Sequence, residues 1–176
     1  MSYVVVDIES DGPCPPMYSM VSFGAVIVDN SLNKRFKAKT KPISEIWVPE
    51  SLAISNVSRE EHKKYDEPKE VMLLFYNWLV EHSKGKPIMI SDNIAFDWQW
   101  INYYFHKYIG KNPFGYSGRR IGDIYCGIVG NSNKNEEWKK KYRKTKHTHD
   151  PLDDALGNAE ALISFKKELG FKINFE

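Results

Sequence analysis

Apolar and polar positions alternate from Tyr3 to Glu9. Val4, Val6 and Ile8 project to one side and Tyr3, Val5, Asp7 and Glu9 to the other, the period of a β-strand. Asp11-Gly-Pro-Cys-Pro-Pro breaks that strand. Ser19 to Val28 and Lys34 to Thr40 read as two more strands, with a turn at Asp29-Asn30-Ser31, so the chain opens as an antiparallel meander. The period then lengthens. Glu67-Pro68 opens a helix on the stripe Val71, Leu74, Phe75, Trp78 and Leu79, with Gly85 past its end. Pro87 to Ser91 is a short buried strand, and Asn93 to about Tyr108 a helix with Phe96, Trp100, Ile101 and Tyr104 on its buried face. Arg120 to Ile128 holds another strand, and Asp150 to Leu169 is the last helix. The order βββαβαβα predicts an α/β fold, a mixed central sheet flanked by helices. The polar run Gly130 to Lys146 departs from the pattern and reads as an insertion or mobile loop. There is no internal repeat, and 176 residues suit a single domain spanning 1–176.

Composition narrows the class. Apolar content of 41% with 27% charge is that of an ordinary globular chain. A net charge of +2 excludes a basic nucleic-acid coat, so nucleic-acid affinity must come from a local patch. Aromatics reach 14%, enough to fill a core and also to offer stacking surface for bases. Two cysteines, Cys14 and Cys126, make no disulfide framework. The N-terminus has neither a signal peptide nor a membrane span, so the expectation is a reduced, soluble, cytoplasmic protein.

The chemistry lies in scattered acids. On a strand, residues i and i+2 share a face about 6.5–7 Å apart, so Asp7 and Glu9 project side by side and repel unless a cation sits between them. At a surface they would simply be solvated. The Val-rich strand opening the domain reads as central, and a buried acidic pair there calls for a divalent cation. Oxygen ligands favour Mg²⁺ or Mn²⁺ over Zn²⁺. Near the C-terminus, His149-Asp-Pro-Leu-Asp-Asp154 separates its acids by role. Pro151 suits the first helical position, which makes Asp150 the N-cap, and Asp153 falls where an acid completes a capping-box-like arrangement. Asp154 is surplus to capping and borders the stripe of Leu152, Ala155, Leu156, Ala159, Leu162 and Ile163. His149 is of the side-chain type best suited to act as a base on water near neutrality, and His147 forms with it an H-x-H pair that also reads as a zinc couple. Between these segments, Asp92 or Asn93 can cap a helix, and Asp97 sits among aromatics, where an unpartnered buried acid is costly.

Taken together these segments resemble the DEDDh branch of the DnaQ-like 3′–5′ exonucleases, whose fold is ribonuclease H-like. The first motif is Asp7-Ile8-Glu9 followed by Gly12, the second Asn93-Ile-Ala-Phe-Asp97, and the third the His149 to Asp154 spacing, which selects His149 over His147 and Asp154 over Asp153. Met20 to Val28 looks like the family's second strand, and Ile54-Ser-Asn-Val-Ser58 is similar to its segment before the first helix. Asp92 stands where relatives often carry His, and the 130–146 insertion is not general to the family.

The resemblance implies hydrolysis of a phosphodiester with two divalent cations, Mg²⁺ or Mn²⁺. Asp7, Glu9, Asp97 and Asp154 would be the metal ligands and His149 the base, releasing nucleoside 5′-monophosphates from a free 3′ end. Small size is similar to stand-alone exoribonucleases, including the short RNase AS-like group, which favours single-stranded RNA as substrate and carries a homodimer as an expectation. Implied substrate contacts are Ser10 in the first motif and Asn93 in the second. Pro13 and Met17 follow at the place where relatives wedge the terminal base, although a rigid loop is the plainer reading of Pro13. In the run Lys139-Lys-Lys-Tyr-Arg-Lys144-Thr-Lys146, the closing lysines lead into His149 and are expected to grip the substrate backbone, ordering on binding. The alternatives are a DNA exonuclease with the same site, a nucleic-acid-binding module with a dead site, and a zinc protein built on His147 and His149.

Overall fold

The structure, a computed structural model, describes residues 1–175. Five strands form one mixed sheet: β1 (Ser2–Ser10), β2 (Met20–Ile27), β3 (Arg35–Lys39), β4 (Pro87–Ser91) and β5 (Gly118–Arg120), in the spatial order β3-β2-β1-β4-β5. The first three strands are the expected antiparallel meander, and β1–β4 and β4–β5 are parallel. The helices are α1 (Pro49–Ile54), α2 (Arg59–His62), α3 (Pro68–His82), α4 (Ile94–Ile109), α5 (Ile121–Val129), α6 (Glu137–Tyr142) and α7 (Pro151–Glu168). Among the described residues no helix is long and apolar enough to cross a membrane.

Strand β1 is central, and its alternation divides the molecule. Val4, Val6 and Ile8 pack with Phe75 and Leu79 of α3 and with Trp100, Ile101 and Tyr104 of α4. Val5 packs on the other side with Ile90, Ala155, Ala159, Leu162 and Phe165. By the same alternation Asp7 belongs to the α7 side of the sheet. The ladder puts Asp7 opposite Gly24 and Glu9 opposite Ser22, and a bulge between Glu9 and Ser10 then bends the strand away.

Three expectations are corrected. The strand expected over Arg120–Ile128 is real only at Gly118–Arg120, and Ile121–Val129 is helix α5. A short apolar run reads either way, and here the helical face decides, with Ile121 and Tyr125 buried one turn apart and Gly130 ending the helix at φ 67°. On α3, Leu74 is 61% exposed while Met72 is buried. At about 100° per residue the arc through Met72, Phe75 and Leu79 leaves Leu74 outside it. The 130–146 segment is no plain loop. It forms a short 3₁₀ turn and α6, anchored by Trp138, which is fully buried and donates from its indole to the Asn135 carbonyl at 2.8 Å. Helices α1 and α2 were not legible from periodicity, being six and four residues long.

Gly24 sets how closely α7 can approach the sheet. A methyl group there would stand 2.4 Å from the Pro151 carbonyl oxygen and 2.5 Å from Leu152 Cα, both backbone atoms unable to move aside. Gly24→Ala is therefore expected to destabilise the protein by about 1–3 kcal/mol, which calorimetry would register as a melting temperature lower by several degrees; an unchanged melting temperature would contradict the close approach.

Candidate active site

The first turn of α7 rests on that contact. Asp150 caps the helix by accepting from the Leu152 N–H at 3.0 Å and pairs with Lys37 of β3. Asp153 does not reach back to complete a capping box; it accepts from the Thr148 hydroxyl at 3.1 Å. Asp154, freed from capping, is 1% exposed and turned to the sheet. One carboxylate oxygen each from Asp7, Glu9 and Asp154 lies within 4.8 Å of the others. Asp97, 3% exposed on the first turn of α4, exerts the largest charge effect on Asp7 but stands outside that trio. Asn93 takes the N-cap position of α4 without a side-chain cap bond, and Asp92 turns instead to Lys139 at 2.6 Å.

These carboxyls are held where ionising them is costly. Burial, then the charges of Asp97, Asp154 and Glu9, push the Asp7 carboxyl well above the usual range, and Arg143 draws it partly back. Burial, followed by the Asp154 charge, lifts Glu9 to about 7, with Ser55 opposing from 3.5 Å. Burial lifts Asp97 to about 8, partly offset by Ser91 and by the backbone of Ile8 and Asn93. An all-oxygen set of buried, mutually repelling carboxylates fits a hard divalent cation.

His149 stands over this group with Nδ1 3.9 Å from Glu9 Oε1, its backbone in the left-handed region at φ 60°. Its imidazole, Glu9, Ser10, Pro13, Ile54 and Phe96 line a cleft of about 340 Å³. The Pro13 carbonyl is fixed by Gln99 at 2.9 Å, and the Ser10 hydroxyl is turned onto the Gly12 carbonyl at 2.7 Å. Met17 is 52% exposed and does not line that cleft. Lys144 and Lys146 line an adjoining cleft of about 330 Å³ with Lys140, Arg143 and His147.

Several residues of the site had no distinct signal in the chain. His147, passed over for His149, places Nδ1 2.7 Å from Asp154 Oδ2. Arg143, lost among lysines, donates to Asp154 Oδ1 at 2.8 Å. Asp11, the third acid of the first motif, is fully buried and accepts from the Ser19 N–H at 2.5 Å and from Arg59 at 2.7 Å, closing the loop after β1. Arg59 also donates to the Ser44 carbonyl, which ties in the segment leading to α1. Among the described residues the carboxylate trio is the one group of three or more potential ligands this close, and His147 and His149 are not members of it.

A family model described as "Exonuclease" (RNase T) matches residues 4–162. The chain belongs to that exonuclease family. It is thereby a DnaQ-like 3′–5′ exonuclease of ribonuclease H-like fold, a hydrolase, as the three motifs implied. It is 35% identical over 179 residues to the 3′-5′ DNA exonuclease Cap18 of Escherichia coli, covering 95% of each chain. Among solved structures it is similar to a 3′-exonuclease recognising a histone mRNA stem-loop (TM-score 0.75, 14% identity, 98% of this chain and 85% of that one). It is also similar to the zinc-bound E. coli exonuclease I–single-stranded DNA complex (TM-score 0.73, 15% identity, 96% of this chain). The exonuclease domain described here spans 42% of that last chain. At such identities these structures speak for the fold alone.

The raised carboxyls make stability depend on pH and metal together. Glu9 and Asp97 have ordinary values of 4.5 and 3.8, so the stability they lend is fully present below about pH 4 and is lost as pH rises through about 7 and 8. A divalent cation held by these carboxylates would offset that loss. The rise in melting temperature on adding Mn²⁺ is expected to be larger at pH 8 than at pH 6, and Asp7→Asn is expected to raise the metal-free melting temperature at pH 8. Thermal scans in EDTA and in Mn²⁺ check both, and an equal rise at the two pH values would count against the site.

Proposed function

We propose that this protein is a divalent-metal-dependent exonuclease that removes nucleotides from the 3′ end of single-stranded DNA as nucleoside 5′-monophosphates. The observation that carries the reading is the convergence of Asp7, Glu9 and Asp154 within 4.8 Å, with Asp97 beside Asp7 and His149 above Glu9. The likeness to short exoribonucleases favoured RNA. The relative that is 35% identical over nearly the whole chain is named a DNA exonuclease, and that favours DNA.

Asp7, Glu9, Asp97 and Asp154 would hold two Mg²⁺ or Mn²⁺ ions. When bound, such ions lower the pKa of a water and neutralise charge building on the phosphate. His149 accepts the proton of the attacking water, and its exposure on the cleft wall lets that proton pass to solvent. The terminal nucleotide occupies the 340 Å³ cleft, where Pro13, Ile54 and Phe96 offer apolar surface to sugar and base. Ser10, Asn93 and Met17 stay proposed contacts at the ends of β1 and α4 and on the loop between β1 and β2. The lysines divide by pairing. Lys139 is held by Asp92 and Glu136 and Lys141 by Glu137, whereas Lys140, Lys144 and Lys146 are exposed around the adjoining cleft. Those three are free to meet the phosphates of the following nucleotides. A dead binding module would have no use for five functional groups gathered from three elements and a loop.

The decisive assay follows 5′-labelled single strands of DNA and RNA with Mg²⁺ or Mn²⁺. The DNA is expected to shorten stepwise from its 3′ end and faster than RNA. Asp7→Ala is expected to fall below about 1% of wild-type rate and His149→Ala by roughly 10²–10⁴-fold. Equal activity in Asp7→Ala would end the assignment, and faster RNA decay would return the substrate to RNA. Replacing Lys140, Lys144 and Lys146 together with Ala is expected to reduce the salt slope of binding to single-stranded DNA by up to about 2 while sparing hydrolysis of a small phosphodiester. An unchanged slope would remove these lysines from the strand's path.

A further inference from the structure

Arg143 differs from every other cation of the basic run. Its side chain is 9% exposed, and its Nη2 donates at 2.8 Å to Oδ1 of Asp154, which is itself 2% exposed. The way in is carved by a glycine. A methyl on Gly157 of α7 would stand 2.6 Å from Arg143 Nε and 2.9 Å from both Nη2 and the Thr145 carbonyl oxygen. Glycine in a helix interior costs about 1 kcal/mol relative to alanine, so a mid-helix glycine whose vacant side fits a guanidinium signals a demand for that guanidinium. The backbone just beyond is pinned as well. Glu160, one turn further along α7, accepts from the N–H groups of Lys144 and Thr145 at 3.0 and 2.7 Å. Arg143 therefore enters the acidic site on a fixed arm.

A pair serving stability alone would have its donors satisfied, because a buried ion pair recovers its desolvation cost only with full hydrogen bonding. Arg143 Nε is buried without a partner. What the arrangement does secure is the orientation of Asp154. Thr148 N–H donates to the same Oδ1 at 3.4 Å. Oδ2 is met only by the ring of His147, which is 57% exposed and lies on a loop.

We propose that Arg143 is a positioning residue of the metal site: its guanidinium clamps one oxygen of Asp154 and so presents that carboxylate to Asp7 and Glu9. This rests on the carboxylate trio being a divalent-cation site. Two effects oppose each other. The positive charge repels a divalent ion, while a fixed ligand carboxylate saves the cost of ordering it when the ion arrives. Partners behind ligands of this kind are typically worth about 10–100-fold in metal affinity, and the built arm places Arg143 among them.

The test is Mn²⁺ titration of the full chain without nucleic acid, read by electron paramagnetic resonance, beside the metal-free melting temperature. Arg143→Gln is expected to weaken Mn²⁺ binding about tenfold or more, and Arg143→Lys to recover part of the loss. Gly157→Ala, which expels the guanidinium while leaving Arg143 in the chain, is expected to weaken binding in the same direction and to add little on top of Arg143→Gln. Unchanged or tighter Mn²⁺ binding in Arg143→Gln would overturn the proposal and leave an ion pair with a structural role. If that variant fails to fold, unchanged affinity in Gly157→Ala overturns it equally. Wild-type protein that binds no Mn²⁺, or Asp7→Asn that binds it as tightly as wild type, would instead sink the metal-site reading itself.

Discussion

The site depends on one close approach, the first turn of α7 lying against β2 at Gly24. Asp7 faces Gly24 across the ladder, and Pro151 and Leu152 occupy the space a side chain would need. Asp154 lies within one helical turn of that contact. With a larger residue at position 24 the helix would ride higher on the sheet, and Asp154 would leave the 4.8 Å radius that gathers the trio. The capping acids hold the same turn in place, Asp150 through the Leu152 N–H and Lys37, and Asp153 through Thr148. The geometry of the acids is thus a consequence of backbone contact, with charge opposing it throughout.

That opposition explains the balance of the site. Burial and mutual repulsion raise three of the carboxyls gathered here, Asp7, Glu9 and Asp97. The fold tolerates them because hydrophobic packing on both faces of β1 supplies the stabilisation that the acids subtract. Arg143 pairs with Asp154 and draws Asp7 partly back, yet burial and mutual repulsion still hold Asp7, Glu9 and Asp97 above their ordinary range. That suits binding of divalent cations, which an electrically satisfied cluster would not attract.

Much of this was legible in the chain, and the boundary of legibility has physical causes. The meander, the central strand and the division of β1 into two faces followed from period-two alternation, which a half-buried strand imposes directly. Asp7 and Glu9 could be paired from spacing alone, and Asp154 stood out once Asp150 and Asp153 had capping work, although Asp153 turned out to serve Thr148. Helix α5 was misread because four to eight apolar residues satisfy either period until their neighbours are known. Arg143 was illegible for a different reason. Its distinction from the surrounding lysines lies in Gly157, fourteen residues away, and only the packing of α6 against α7 brings the two together.

The same packing bears on why a basic segment lies so close to the carboxylate site. Along α7, Asp153, Asp154 and Glu160 each accept from the 143–148 segment, at Thr148, Arg143 and the Lys144–Thr145 backbone. Trp138 anchors the upstream end of that segment in the core. The lysines facing the adjoining cleft are therefore carried on a backbone fastened to the helix that carries Asp154. Surface lysines on a free loop would pay ordering entropy each time a strand bound and would hold its phosphates at no fixed distance from the reacting bond. On this frame a strand gripped by these lysines on the 5′ side of its terminal nucleotide would have its phosphates at a set distance from the acids, its 3′ end aligned by the rigidity of α7. An exonuclease repositioning its substrate after each nucleotide would gain from that arrangement, because alignment would survive each step while weak, exposed Lys–phosphate contacts would let the strand slide.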